Sequence, residues 1–398
     1  KKRRLMKIQK IDIKDVGGIK RAIINFDASM NIICGPNGIG KTTILDSVAH
    51  SFINTNSYVL KRHAQSTDGQ INTVLNDCDN IRESHISLEQ FNPKDYSYIS
   101  GLRELGRKVI YLNISRMFKY VSLSNISKDE ERQDHSIYTL LTDGISVADM
   151  KNWFAKRCLF FNTPEALSEN NKVNLELAKK CFSLLNAEYK FSRVDAKKFD
   201  VFVSTPNGEI WYEYLSSGFK SCLSILFGII KEIELRMPDE ECLAQHFDGI
   251  VLIDELEMHL HPEWQSKIVS VLRDTFPATQ FIVTTHSPHI IQNAEPNQII
   301  ALGTDSNGYT YVRELPSNEF GYTGWTLDEV LKDVMGMEDT RSQKLQSMLA
   351  AFDQAIDEEN KIEAERIYKE LDRALHPANV LRKMLSIDLS SVIEEGSK

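Results

Sequence analysis

Gly35-Pro36-Asn37-Gly38-Ile39-Gly40-Lys41-Thr42, followed by Thr43, fits the pattern G-x-x-x-x-G-K-[ST]. Glycines at this spacing let successive backbone N–H groups converge on phosphate oxygens, and the start of the following helix attracts the same negative charge. Lys41 is the side chain expected to reach the β- and γ-phosphates, and the Thr42 hydroxyl is the expected ligand for Mg2+. A second chemical segment lies far along the chain. Ile250-Val251-Leu252-Ile253 ends in Asp254-Glu255. Adjacent acids leave a strand on opposite sides, so the two take different roles. Asp254 is expected to hold Mg2+ through its water shell, and Glu255 to polarise an attacking water.

Two further segments complete the chemical inventory. Phe281-Ile282-Val283-Thr284-Thr285 delivers His286 at its end, where an imidazole can bond a γ-phosphate and the attacking water from the side opposite Lys41. His259, His261, His286 and His289 also allow a metal reading, but the nucleotide reading accounts for His286 without it. Leu215-Ser216-Ser217-Gly218-Phe219-Lys220 opens a long apolar helix, and a small polar helix start is another anion site. Taken alone, this segment reads first as a capped helix, with Ser216 or Ser217 as the cap.

The elements that must position these groups follow from periodicity. Met6 to Ile13 alternates as a half-exposed strand, Gly17-Gly18 turns the chain, and Ala22 to Phe26 returns it. Asn31 to Cys34 is a short buried strand before the glycine-rich loop, and Ile44, Leu45, Val48 and Phe52 share one face of the helix after it. Ile86 to Leu88 and Lys108 to Leu112 read as strands, the stretch from about Ser124 to Asp200 reads as mostly helical, and Phe202 to Tyr214 reads as a hairpin. Pro262 opens a helix predicted to bury Trp264, Ile268, Val269 and Leu272. A hairpin (Gln298 to Leu302, Tyr309 to Leu315) precedes a helical tail. In that tail Leu327, Val330, Leu331, Val334, Ile362, Ile367 and Leu371 are the expected apolar stripe.

The order GPNGIGKTT, LSSGFKS, VLIDELEMHLHP, TTHSP resembles an ABC-type ATPase. The resemblance implies an α/β head with a mixed sheet and helices, an inserted helical lobe and a C-terminal helical tail. It also implies that Ser216 and Gly218 of one copy cap the γ-phosphate bound by another, so that ATP and Mg2+ are held in a head-to-head dimer. Roughly 170 residues separate the phosphate loop from LSSG, more than in transporter subunits. The D-E-x-E-x-H-L-H-P wording is similar instead to SMC-like, RecF-like and defence-system ATPases. The tail from Gly321 through Met335-Gly336-Met337 resembles that of Septu ATPases, including retron-associated ones. That resemblance implies a slowly hydrolysing scaffold and sensor in anti-phage defence, with a separate HNH nuclease as partner, and in retrons a reverse transcriptase with its RNA–DNA product. A RecF- or SMC-like DNA-repair clamp is the competing reading, with Lys179, Lys180, Lys197 and Lys198 as candidate phosphate contacts. For the glutamine that the family places in the loop between lobes, Gln90 is one candidate and the loop near Asn113 to Arg116 is another.

These readings divide the chain into 1–120 (phosphate loop), 121–200 (helical insertion), 201–318 (signature, acid pair, histidine loop) and 319–398 (tail, with partner docking as its sharper role). Of 398 residues 42% are apolar, ample for a packed core, and the densest run, Cys222 to Ile233, is broken by Ser224, Gly228, Lys231 and Glu232, which disfavours a membrane span. Lys1-Lys2-Arg3-Arg4 meets further charge rather than an apolar segment, unlike a secretory signal. The six cysteines form no C-x-x-C pair, consistent with reduced thiols and a cytoplasmic setting. A net charge of −9 offers no long-range steering toward nucleic acid.

Overall fold

The computed structural model describes residues 6–316 and 320–395. The Lys1-Lys2-Arg3-Arg4 run lies outside the described residues. β1 (Lys7–Val16) and β2 (Ile19–Asn25) form a hairpin, and β3 (Met30–Cys34) feeds the glycine-rich loop and α1 (Lys41–His50). Next come β4 (Asn54–Ser57), β5 (Gly69–Asp77), β6 (Asn80–Leu88), β7 (Ser97–Ser100) and β8 (Val109–Leu112). The insertion supplies α2 (Asp134–Asp143), α3 (Met150–Phe160) and α4 (Glu169–Leu185), then β9 (Lys190–Val194). β10 (Val201–Thr205) and β11 (Gly208–Trp211) precede the long α5 (Ser217–Arg236) and β12 (Ile250–Ile253). α6 (Pro262–Gln265), α7 (Ile268–Thr275), β13 (Gln280–Thr284), α8 (Pro288–Gln292), β14 (Ile299–Thr304) and β15 (Thr310–Val312) follow.

The central sheet runs β15-β14-β3-β13-β12-β8. β14, β3, β13, β12 and β8 are parallel, and β15 is an antiparallel edge. Both faces are covered, so alternate residues of one strand enter different cores. Ile32, Val251, Ile253, Phe281 and Val283 pack with α3, α4 and α5, while Ile33, Ile250, Leu252 and Ile282 pack with α1 and the sheet β2-β1-β5-β6. This is why β3, β12 and β13 read as continuous apolar runs rather than as alternations. The parallel strands all deliver their carboxyl ends to one edge, the position where open α/β sheets bind ligands.

Three readings change in detail. The stretch predicted as mostly helical ends in a strand: Lys190 to Val194 pairs antiparallel with β10, with a register shift that leaves Ser192 out of the pairing. The single helix expected from Pro262 is broken between α6 and α7, where the Ser266 hydroxyl donates to the Glu263 carbonyl and competes with the helical pattern. Ile362 is 86% exposed rather than part of the buried stripe. It lies two residues before Ala364, on the face opposite Ala364, Ile367 and Leu371.

The chain forms two compact units, the first ending at Gly336 and the second beginning at Met337. In the first, Val330 and Val334 join the core beside α8, and Tyr322 packs edge-on against Trp325. The second is a helical pack of α9 (Gln343–Asp357), α10 (Lys361–Ala374) and α11 (Leu381–Glu395), built around Leu349, Phe352, Ile367, Leu371 and Leu385. No helix among the described residues is long and apolar enough to cross a membrane.

Candidate nucleotide site

The glycine-rich loop leaves β3 and turns into α1 through Gly40, whose φ of +99° is left-handed. A side chain there would strain the backbone and would also meet Ile19 at 2.6 Å. Pro36, Asn37 and Gly38 are exposed at the crest, and Ile39 anchors the loop in the core. Lys41 is 7% exposed, and its Nζ donates to the carbonyls of Gly35 and Pro36 at 2.9 Å each. Burial pulls its ammonium below the ordinary lysine value, and the charges of Cys34, Glu257, Asp254 and Glu255 oppose that pull.

The acid pair lies at the end of β12, next to α1. Thr42 Oγ1 donates to the Asp254 carboxylate, 3.0 Å from Oδ2 and 3.2 Å from Oδ1. Thr284, at the end of β13, donates from Oγ1 to Asp254 Oδ1 at 2.6 Å and accepts from the Glu255 N–H at 2.8 Å. One hydroxyl thus joins both acids. Glu255 has φ +46°, a left-handed conformation that costs a non-glycine residue about 1–3 kcal/mol and clusters at functional sites. One turn further, the Glu257 carboxylate accepts from Thr285 Oγ1 at 2.7 Å and from the His286 N–H at 2.6 Å. That fixes the loop carrying His286, whose own side chain is exposed.

A family model described as an AAA ATPase domain matches residues 6–89, and one described as an AAA domain of a type IV TA system matches residues 150–292. The Septu protein PtuA of Bacillus thuringiensis is 40% identical over 389 residues, covering 97% of this chain and 98% of that protein. The chain belongs to the Septu PtuA family. A PtuA of Bacillus mycoides (strain KBAB4) is 23% identical over 78% of this chain, the match spanning 43% of that longer protein. The "Retron Ec83 probable ATPase" of Escherichia coli is 22% identical over 82% of this chain and 76% of its own length. Among solved structures, the SMC head domain from Thermotoga maritima matches 78% of this chain and 100% of its own at 14% identity, with a TM-score of 0.45.

In this PtuA-family chain the LSSG segment caps α5. Ser216 is the N-cap and its side chain accepts from the Phe219 N–H at 3.3 Å, while Ser216 and Ser217 remain exposed. Gly218 is packed so closely on the loop after the acid pair that an added Cβ would lie 3.2 Å from the His259 carbonyl. Ser221 Oγ donates to the Met258 carbonyl at 2.8 Å, so the signature helix and the acid-pair loop are joined directly. His261 caps α6, and among the described residues no group of three His, Cys, Asp or Glu is gathered for a metal.

Sequence reasoning assigned no role to Glu257, Thr284 or Arg116. The first two sit inside recognised motifs, and their position beside the acid pair and His286 was the available signal. Arg116 lies in the Asn113 to Arg116 loop, one of two places considered for the family's glutamine. The other candidate, Gln90, follows β6, and its carbonyl accepts from the Arg62 N–H at 3.1 Å. Arg116 is 2% exposed, and its guanidinium donates to the carbonyls of Asn113, Asp254 and Glu255. Burial pulls its pKa down to about 10, against the opposing charges of Glu257, Asp254 and Glu255, so it stays cationic at neutral pH. Asp46, one turn into α1, accepts from Tyr111 Oη at 2.9 Å. Burial raises its carboxyl to about 7, opposed by that hydrogen bond and reinforced by the Asp254 charge.

Proposed function

We propose that this chain is an ATP-hydrolysing scaffold and sensor of an anti-phage complex, in which two copies sandwich ATP and hold a separate HNH-type nuclease in check. The observation that carries the reading is the convergence of Lys41, Thr42, Asp254 and Glu255 at one sheet edge, with the acid turn anchored on Thr284. Membership of the Septu PtuA family supports the defence setting, and the "Retron Ec83 probable ATPase" supports a retron-associated variant with a reverse transcriptase and its RNA–DNA product.

In this reading the loop N–H groups and Lys41 bind the triphosphate of ATP, and Lys41 exchanges its carbonyl partners for phosphate oxygens. Thr42 Oγ1 and the Asp254 carboxylate are hard oxygen donors already in contact with each other, a pair that fits Mg2+. When bound, Mg2+ neutralises charge on the β- and γ-oxygens. Glu255 accepts a proton from the attacking water, and His286 bonds the γ-phosphate from the opposite side. The exposed Ser216 hydroxyl and the Gly218 N–H of the second copy close the site. Hydrolysis that is slow relative to assembly suits a sensor. The helical unit beyond Gly336 is the surface read as docking the partner.

The test is expression in the native operon, with wild type beside Glu255→Gln, followed by identification of co-purifying protein and nucleic acid. Recovery of an HNH-type nuclease supports the scaffold reading. A bare homodimer that binds duplex DNA only with ATP, with steep salt dependence, supports the repair-clamp reading instead.

A further inference from the structure

Beyond the motif residues, we infer that Arg116 is the positioning residue for Glu255: its two-pronged guanidinium clamps the carbonyls of the acid pair and so fixes where the base points. The inference rests on the ATPase reading of the same site. Asp254 and Glu255 form a turn, not a strand, and Glu255 holds a left-handed φ of +46° that an acidic side chain does not adopt without help. Such a conformation persists only where its surroundings over-determine it.

Those surroundings can be traced group by group. The Asp254 N–H donates to the Leu112 carbonyl at 2.9 Å, and the Glu255 N–H donates to Thr284 Oγ1 at 2.8 Å. The Glu255 carbonyl accepts from the Met258 N–H at 2.9 Å, and the Asp254 carbonyl takes Arg116 Nη1 at 2.6 Å. Arg116 Nη2 reaches the Glu255 carbonyl, and Nη1 also reaches the Asn113 carbonyl at 3.1 Å, tying the turn back to the loop after β8. Its Nε has no partner among the described residues, so the buried cation is oriented by these carbonyls. Among the described residues Arg116 bonds carbonyls and not the carboxylate of Asp254 or Glu255, which leaves both acids available for Mg2+ and water. A planar fork is required because one side chain must bond consecutive carbonyls; a lysine ammonium would hold the charge without that geometry.

The test compares wild type, Arg116→Lys and Arg116→Ala, each with and without Glu255→Gln. ATP affinity is read by titration and hydrolysis by single-turnover assays. Arg116→Lys should lower the hydrolysis rate by about a hundredfold, the scale of a misplaced catalytic group, while ATP affinity is retained. Guanidinium ion should restore turnover to Arg116→Ala, and Arg116→Lys should add no further loss to Glu255→Gln, because both act through one carboxylate. If hydrolysis by Arg116→Lys equals wild type and only its unfolding temperature drops, Arg116 is structural and the inference falls. It also falls if the two losses add, or if ATP affinity drops in step with rate. If wild type shows no Lys41-dependent turnover, the ATPase reading fails first and takes the positioning role with it.

Discussion

Lys41 is a buried cation held by two carbonyls of its own loop, so its alternative partner must also be an acceptor, and a phosphate is the stronger one. Replacing it with alanine removes a charge-assisted bond worth about 1.5–3 kcal/mol, and ATP affinity should fall at least about tenfold in a fluorescent-nucleotide titration. Unchanged affinity would place the phosphates elsewhere. Thr284 serves both acids with one hydroxyl, so Thr284→Val leaves the Glu255 N–H and one Asp254 oxygen without that partner. The expected cost is about 1–3 kcal/mol in denaturant unfolding, together with slower turnover. At this scale the sequence was legible wherever chemistry is local. The phosphate loop and the acid pair are contiguous words, and their residues meet as the words imply. Arg116 was not legible, because its bonds to Asp254 and Glu255 span 138 and 139 residues and no local pattern marks them.

Elements fix the orientation of those residues. α1 ends at His50, which is fully buried between the Asp46 carbonyl and the Ser57 hydroxyl. A carbonyl only accepts, so Nδ1 carries the proton and Nε2 accepts from Ser57. Burial pulls the imidazole down to about 4, with the Asp46 carbonyl opposing. The folded value lies below the unfolded one near 6.5, so the unfolded chain binds more protons between them. The contribution is therefore complete above pH 6.5 and is lost as pH falls toward 4, by about 3 kcal/mol. His50→Gln keeps a donor and an acceptor without titrating, and the wild-type-minus-variant difference in unfolding free energy should shrink by that amount on acidification. A flat difference would mean that the ring is solvated. At the start of α5, Gly218→Ala sets a methyl 3.2 Å from the His259 carbonyl and should weaken assembly while leaving ATP binding to the single chain intact. Alternation identified β1 but is broken in β9, where Ser192 and Arg193 are both exposed at a shift in register and the surrounding helices dominated the reading.

In the first unit, one sheet with both faces covered accounts for the placement of three of the four recognised motifs: parallel strands bring the phosphate loop, the acid pair and the histidine loop to a single edge. The α/β class was implied by the resemblance that the motif order carries, whereas the two-sided core emerges only from the structure. The close of the first unit at Gly336 was not legible in the sequence either, because Tyr322, Val330 and Val334 are committed to the first core by packing rather than by any break in composition.

The central claim, that each nucleotide is shared by two copies, is tested most directly by mixing two inactive variants. Ser216→Arg keeps its phosphate loop but loses its signature, and Lys41→Ala keeps its signature but loses its phosphate loop. Each alone should be inactive. If subunits exchange in an equimolar mixture, half of the dimers are mixed and each holds one intact composite site, so turnover should return to about a quarter of wild type per chain. A mixture that forms mixed dimers, seen by co-capture of differently tagged chains, yet remains inactive would contradict a shared site.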